Sequence, residues 1–151
     1  MNTPAALAHT DIAALIPHAG RMCLLASVQE WNAAGIRCSA TSHVDGGNPL
    51  RTRSGLLASA AIEYAAQAAA VHGALKAREA GRAAAPGFLA SARGVQLHRL
   101  RLDDLDGPLS VEAEHLAGEG QQLLYGFAVR HAGRTVVDGR LAVVLDTPLP
   151  A

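Results

Sequence analysis

The chain has 151 residues, half of them hydrophobic, and its 13 basic side chains balance its 13 acidic ones. This length favours a single domain over residues 1–151, and the apolar content excludes a mainly disordered chain. Balanced charge argues against nucleic acid as a partner, because proteins that bind it carry a basic excess. Aromatic residues make up only 3% of the chain, so the core must be built from Ala, Leu and Val.

The sequence gives no sign of a secretory or membrane segment. Met1–Thr10 lacks a basic region that leads into an apolar one, so it does not resemble a signal peptide. Leu56–Leu75 has the length of a membrane span, but Glu63, Gln67 and His72 within it would be costly in lipid. We therefore expect a cytoplasmic protein without a membrane span.

Cofactors and metals are not expected either. Cys23 and Cys38 lack the spacing of metal ligands, and two cysteines do not make a disulfide framework. No pair of histidines has the spacing of metal ligands on a helix, and no glycine-rich phosphate loop is present. We therefore predict no metal site and no cofactor.

The first half of the chain predicts two strands followed by one long helix. A short helix precedes them, because Pro17 ends the segment before it. Turn residues separate the two strands, and a serine is a suitable N-cap for the long helix. The predicted elements are a helix over Asp11–Ile16, strands over Met22–Trp31 and Ile36–Ser42, and a central helix from an N-cap at Ser54 to about Gly81.

The second half predicts strands only. Apolar and polar residues alternate in Val95–His98 and Val111–Glu114, as expected for strands with one face in water. Ala132–Arg134 indicates a tight hairpin. The predicted strands cover Phe88–Leu102, Leu109–Leu116, Leu123–Arg130 and Thr135–Leu145.

These elements together predict the fold. Six antiparallel strands have one face to cover, and a helix that is apolar all round can be covered only by a sheet that curls around it. The pattern therefore predicts an α+β hotdog fold, in which a six-stranded antiparallel sheet wraps around a long central helix.

Glu63 is the first candidate for an acid or base because of its surroundings. From Gly55 to Leu75 the only strongly polar side chains are Glu63, Gln67 and His72. A helix without a polar face is buried on all sides, and a carboxylate that loses its hydration favours its neutral form unless it is paired. The alternative is a structural carboxylate bonded to Gln67 or to a strand backbone.

Three segments resemble the bacterial 3-hydroxyacyl-acyl-carrier-protein dehydratases of the hotdog fold. Ile16-Pro17-His18 followed by Met22–Leu25 is similar to their opening motif, and Ile62–Gln67 is similar to their "IE-x-x-AQ" helix motif. Pro86–Leu89 followed by Arg93 looks like the third strand of a divergent branch associated with aryl polyene and related polyketide-like pathways. The resemblance covers nearly the whole chain.

This resemblance implies the loss of water from a 3-hydroxyacyl thioester, held on acyl carrier protein or coenzyme A, to give a trans-2-enoyl thioester. The reaction needs a base for the α-proton, an acid for the departing hydroxyl, and donors for the thioester oxygen. In the family, opposite subunits of a dimer contribute a His and the helix carboxylate, onto which Glu63 falls. We expect a homodimer or a paralogous heterodimer, with the amides of Gly55 and Leu56 as oxyanion donors at the electropositive helix start.

The predicted base is His43. The family carries its His in a "GHFP" segment fourteen residues before the carboxylate, and here that position is Pro49, between Asn48 and Leu50. None of these three side chains can act as a base. His43, twenty residues before Glu63, is the nearest upstream imidazole before the central helix, and its alternative is a solvent-facing histidine at a strand end.

Three further residues are predicted to contact the substrate. Gln67 is four residues after Glu63 and on the same helix face, where it can orient the carboxylate; a bond to a strand backbone is the alternative. The acyl chain would lie in a tunnel between helix and sheet, lined by alanines and leucines and by Phe88 and Leu89.

The remaining histidines are interpreted as structural or solvent-facing. His72 lies nine residues after Glu63, which is 900° of rotation at 100° per residue, so the two lie on opposite faces of the helix. His18, in the lead-in to the first strand, resembles a family position but is interpreted as structural.

The densest cationic stretch of the sequence contains Arg93, Arg99 and Arg101, with His98 among them. Basic groups would speed the encounter with an acidic carrier protein, so we predict that these arginines form its docking patch. The alternative is an ordinary solvated strand face.

Two rival functions remain open. A thioesterase on the same fold can use a helix carboxylate without a histidine, which suits the missing "GHFP" segment. A degenerate subunit that supports an active dehydratase partner would be inert alone, with Glu63 as a relic.

Overall fold

The computed structural model describes residues 7–16, 18, 20–83, 87–118 and 121–145. Across these residues the chain forms one antiparallel sheet and one long helix, which confirms the predicted α+β hotdog fold. The elements are β1 (Leu7–Ala8), α1 (His9–Ala13), β2 (Ser27–Trp31), β3 (Gly35–Ala40), α2 (Ala61–Glu79), β4 (Gly87–Leu97), β5 (Leu109–Ala117), β6 (Gln122–His131) and β7 (Arg134–Leu145).

The sheet has seven strands over the described residues, in the order β1-β2-β3-β5-β6-β7-β4. The predicted number was six, and the additional strand is the two-residue β1, which pairs with β2 through Leu7 and Val28. Its shortness explains why the pattern of alternation missed it. At the other end of the sheet, β4 pairs with β7 and is the second edge strand.

Helix α2 packs against the inner face of the sheet, where it contacts β3, β4, β5, β6 and β7. Small buried side chains on the helix allow its backbone to approach the strands closely. Along β7 the inner face holds Leu141 and Val143, which are buried, whereas Arg140 before them and Val144 after them are exposed on the outer face. The buried alanines of α2 are Ala61, Ala65, Ala66, Ala68, Ala69, Ala74 and Ala77.

The central helix begins later than predicted, so Ser54 is not its N-cap. A 3-10 turn over Ala58–Ala60 precedes α2, and the residues before it form a separate turn. Gly55 in this turn has a φ of +95°, and a Cβ there would lie 2.5 Å from Oδ2 of Asp103. Only glycine fits this position without strain.

Backbone pairing explains the late start of the helix. The Ala58 N–H donates to the Leu100 carbonyl at 2.9 Å, and the Leu102 N–H donates to the Leu56 carbonyl at 2.8 Å. These two bonds tie the residues before α2 to the segment after β4. A pairing between residues so distant in sequence leaves no local signal.

The hairpin between β6 and β7 is confirmed. His131 pairs with Arg134, so the loop contains only Ala132 and Gly133, whose φ values are 49° and 80°. Two consecutive positive φ values define a type I′ turn, the turn whose twist matches that of the flanking strands. Among the helices described, none is both long and apolar enough to span a membrane.

Candidate active site

The site is centred on Glu63 in the first turn of α2. Its Oε1 lies 3.3 Å from Nε2 of His18, and the two side chains are 30% and 22% exposed, respectively. The prediction that Glu63 is enclosed on all sides is therefore wrong. A partly exposed carboxylate beside an imidazole can exchange protons with a ligand.

The other nitrogen of His18 is turned into the protein. Nδ1 is buried and has no hydrogen-bond partner among the described residues. Buried polar atoms are almost always paired in folded proteins, so this atom is an exception. One imidazole nitrogen thus faces Glu63, and the other is enclosed by the protein.

Gln67, one turn along the helix from Glu63, holds the segment that follows His18. Its Oε1 accepts a bond from the Leu24 N–H at 2.9 Å, and its Nε2 donates to the Met22 carbonyl at 2.6 Å. The side chain is fully buried. Both polar atoms of the Gln67 amide thus bond backbone and not Glu63, but this backbone belongs to the segment before β2 and not to a strand, as the alternative had it.

Tyr64, next to Glu63, anchors the loop at which the family's "GHFP" segment would lie. Its hydroxyl lies 2.7 Å from Oγ of Ser42 and accepts a bond from Nδ2 of Asn48 at 3.0 Å. Ser42 Oγ donates in turn to the Leu24 carbonyl. Burial raises the pKa of Tyr64, so the hydroxyl keeps its proton and donates to Ser42.

The side chain of His43, the predicted base, shares no hydrogen bond with this cluster in the described part of the chain. It is fully buried, and its Nε2 donates to the Leu105 carbonyl at 2.9 Å, while Nδ1 has no partner among the described residues. Burial lowers the pKa of His43, so the ring is neutral. An enclosed ring whose exposed fraction is zero cannot reach a substrate in this conformation.

The amides of Gly55 and Leu56, predicted as oxyanion donors, are both engaged. The Gly55 N–H donates to the Thr52 carbonyl at 3.0 Å, and the Leu56 N–H donates to the carboxylate of Asp103. The bonds from Arg101 hold the pKa of Asp103 below its usual range. This carboxylate therefore stays charged and keeps the Leu56 amide occupied.

Phe88 and Leu89, predicted to line an acyl tunnel, lie on the edge strand β4. Phe88 pairs with Val144 on the outer face and is 52% exposed, whereas Leu89 pairs with the buried Val143 on the inner face. Leu89 thus faces the helix side of the sheet, and Phe88 faces away from it.

The predicted docking arginines do not form one patch of free charge. Arg99 bonds Asp104 through Nη2 at 3.1 Å, and Arg101 bonds Asp103 at 2.6 and 2.9 Å. Arg93, by contrast, forms no ion pair within the described part of the chain. Its cross-strand neighbour is a second arginine, Arg140.

Sequence reasoning found Glu63 but not its partner. His18 was interpreted as structural because nothing in the sequence predicts a contact over 45 positions. The signal available was the resemblance of Ile16-Pro17-His18 to a family motif.

A sheet wrapped around one long helix, with a carboxylate in the first turn of that helix, defines a protein of the hotdog fold. The model of the ApeP-like family, described as ApeP dehydratase, matches residues 10–149. The chain therefore belongs to this family of dehydratases. No curated protein sequence matches the chain.

Solved structures show the same fold. The dehydratase heterocomplex ApeI:P from Xenorhabdus doucetiae matches with a TM-score of 0.82 and 24% identity over 90% of this chain and 91% of that one. AziG from S. sahachiroi matches with a TM-score of 0.58 and 18% identity over 87% and 97%. A mutant of the thioesterase SAV0944 from Staphylococcus aureus matches at 0.56 and 12% over 80% and 92%.

Proposed function

We propose that this chain is a subunit of a dehydratase that converts 3-hydroxyacyl thioesters on acyl carrier protein into trans-2-enoyl thioesters. The contact between Glu63 and His18 at the start of α2 carries the proposal, because it provides a proton-transfer group in a chain of the ApeP-like dehydratase family. Acid–base groups of this kind contribute about 10²- to 10⁴-fold to a rate.

Glu63 is the acid in this proposal. Its protonated carboxyl donates to the hydroxyl on C3 as the C3–O bond breaks, and water leaves. A base takes the proton from C2, and the electron pair of that C–H bond forms the C2–C3 double bond. The elimination consumes no other reactant, and the proton held by the base returns to Glu63 before the next turnover.

The base of the proposed reaction comes from a paralogous subunit. His18 has Nε2 against Glu63 and Nδ1 enclosed, so neither nitrogen faces a C2 proton. His43 is fully enclosed. A protein of similar fold, ApeI:P, was solved as a dehydratase heterocomplex, which supports a two-subunit site. His18 is then a positioning residue that orients Glu63.

The edge strand β4 is the proposed joining surface for that subunit. It is the end strand of the sheet, and an open edge with apolar side chains is a template for pairing with another chain. Leu97 at the end of β4 and Leu57 near it are exposed, and Leu100 is 87% exposed. Because Ala58 bonds Leu100, this apolar edge lies next to the turn that leads into Glu63.

The test is an assay of the purified chain, alone and with its paralogous hotdog subunit, on 3-hydroxyacyl-carrier-protein and on the matching coenzyme A thioester. Enoyl formation and free thiol release are followed together. We expect enoyl product from the pair only, faster from the carrier-bound substrate, and lost in Glu63→Gln.

Other outcomes of this assay have defined meanings. Enoyl product from the chain alone would contradict the proposal that a paralogous subunit supplies the base. His18 would then be the candidate base. Free thiol without enoyl would establish the rival thioesterase. Full activity of the pair with Glu63→Gln would leave this chain as the degenerate subunit.

A further inference from the structure

The outer face of the sheet, on the side away from α2, carries charge that the chain itself does not neutralise. One cross-strand row contains, from β3 to β4, the residues Gly35, Glu114, Gly126, Arg140 and Arg93. All of these positions face the same way, since residues in register across a sheet share a face. We call this set of five the outer row.

Neighbouring charges on this face are compensated, which sets the outer row apart. Arg37 bonds Glu30, Arg130 bonds Glu112 at 3.0 Å, and His98 bonds Asp138. Within the described residues, neither Glu114 nor Arg140 nor Arg93 has an ion pair. Arg140 and Arg93 even lie directly opposite each other, and such like-charge pairs destabilise a sheet.

The shape of the outer face leaves room for a partner above the outer row. A cavity of about 800 Å³ lies over Gly35, Glu114 and Gly126, and a second of about 430 Å³ lies beside Arg140 and Arg93. The two glycines leave Glu114 without side chains on either side of it. One cavity therefore presents an unpaired carboxylate and the other two unpaired guanidinium groups.

Apolar side chains flank the outer row on the same face. Leu116 leans over Gly126, at a distance of 3.3 Å from where a Cβ would be. Leu116, Val144 and Phe88 are exposed, and Leu124 shares the face with them. Exposed apolar side chains beside uncompensated charge are the composition of an interface, with an apolar centre and a polar rim.

We propose that this face is an interface between two copies of the chain, related by a two-fold axis that runs parallel to β6, above Gly126 and midway between the two packed sheets. Glu114 lies one strand to one side of Gly126 and Arg140 one strand to the other. Rotation by 180° about this axis brings Glu114 of each copy opposite Arg140 of the other. Two reciprocal ion pairs form, as a self-complementary two-fold interface requires.

The distances suit this arrangement. Strands lie about 4.8 Å apart within a sheet, and sheets that pack face to face lie about 10 Å apart. Glutamate and arginine side chains that point towards each other can span that gap. The outward residues of β6 beneath the centre of the axis are Leu124, Gly126 and Ala128. Arg130, farther along the same strand, is already paired with Glu112 at 3.0 Å. The two sheets therefore meet without an unpaired charge at the centre.

A charge-swap experiment tests the proposal. Glu114→Arg places like charges opposite Arg140, and Arg140→Glu places like charges opposite Glu114. We expect each variant alone to form an assembly of half the native mass in sedimentation velocity, with at least tenfold weaker association. A 1:1 mixture of the two variants should restore the native mass, because each contact then joins opposite charges.

The matched control is Arg134→Glu in the β6–β7 hairpin, which changes charge equally but lies outside the face. It should leave the native mass unchanged. Ala128→Cys should also be cross-linked to the same residue of the second copy by a short bifunctional thiol-reactive reagent, and this link should disappear when Glu114→Arg is added. The native Cys23 and Cys38 are buried and do not compete.

Two results would overturn the proposal: no change of mass with either charge reversal, or no recovery in the mixture. Carrier protein that binds the native chain and not Arg140→Glu, with the mass unchanged, would assign the arginines to a docking role instead. Neither substituted residue lies on β4, so loss of the outer-face interface is distinguishable from loss of the proposed edge pairing.

Discussion

Helix α2 carries a polar cluster in each half, and the two differ in how completely they are satisfied. In the first turn, Glu63 meets His18 where both side chains are partly exposed, and Nδ1 of His18 has no described partner. Further along, His72 is fully buried. Its Nε2 donates to the Asn32 carbonyl at 2.8 Å, and its Nδ1 accepts from the Tyr125 hydroxyl at 2.6 Å.

The difference is the one expected between the proposed active site and a structural cluster. The His72 cluster is sealed and leaves neither ring nitrogen for a ligand, and Trp31 and Tyr125 contact the ring edge-on. Such a network fixes the packing of helix on sheet. The Glu63 cluster keeps exposed surface, and Nδ1 of His18 lacks a hydrogen-bond partner among the described residues, as fits the proposed active site.

Glu63→Gln should have the largest effect of any single change in the chain. It removes the proton of the proposed acid, so kcat of the paired dehydratase should fall by about 10²- to 10⁴-fold. The amide keeps the shape of the carboxyl at a partly exposed position, and the free energy of unfolding should change by less than about 1 kcal/mol. Steady-state kinetics and urea unfolding measure the two effects.

The matched control for Glu63→Gln is His72→Gln in the other cluster. It should lower the free energy of unfolding and leave kcat of the folded enzyme near the native value. If His72→Gln lowered kcat as much as Glu63→Gln, the division between the two clusters would be wrong.

Acid should destabilise the His72 cluster. Burial lowers the pKa of His72 from 6.5 to about 4, so between these values the unfolded chain binds a proton that the folded chain does not. Stability is therefore lost as pH falls from 6.5 to 4, and below 4 the loss is complete. A difference of about 2.5 in pKa corresponds to about 3 kcal/mol.

Urea unfolding at a series of pH values, on the native chain and on His72→Gln, isolates this contribution. Carboxylates and other histidines titrate in both proteins, so the difference between the two curves belongs to His72. The native curve should fall more steeply from pH 6.5 to 4. Parallel curves would contradict the assignment.

Most of the fold could be predicted from the sequence because its signals are local. Alternation in Val111–Glu114 and the turn residues Ala132 and Gly133 give strands and a hairpin that agree with the structure within a few residues. The start of α2 was predicted too early because the pairing of Ala58 with Leu100 is not local. The same long-range pairing holds Leu56 next to Asp103.

The site was less predictable for a related reason. Glu63 stands out as a carboxylate in an apolar helix, but its contact with His18 depends on how Gln67 holds Met22 and Leu24. No pattern within either segment encodes that bond. His43 was predicted as the base because of its distance from Glu63 along the chain. In the structure its ring is buried and bonds the Leu105 carbonyl, a contact over 62 positions that the sequence does not reveal.

Gln67→Leu sharpens the comparison, because Gln67 links the helix to the segment that carries His18. The substitution keeps the volume but leaves the Leu24 N–H and the Met22 carbonyl without their partner. The free energy of unfolding should fall by about 2 kcal/mol, at roughly 1 kcal/mol or more for each unpaired group. Kcat should also fall, by about tenfold, because the segment that positions His18 against Glu63 is no longer held.

Tyr125→Phe is the matched control, since it removes one buried hydrogen bond from the His72 cluster and should cost about 1 kcal/mol with kcat unchanged. A Gln67→Leu protein that loses stability but keeps native kcat would mean that Glu63 acts without the support of His18.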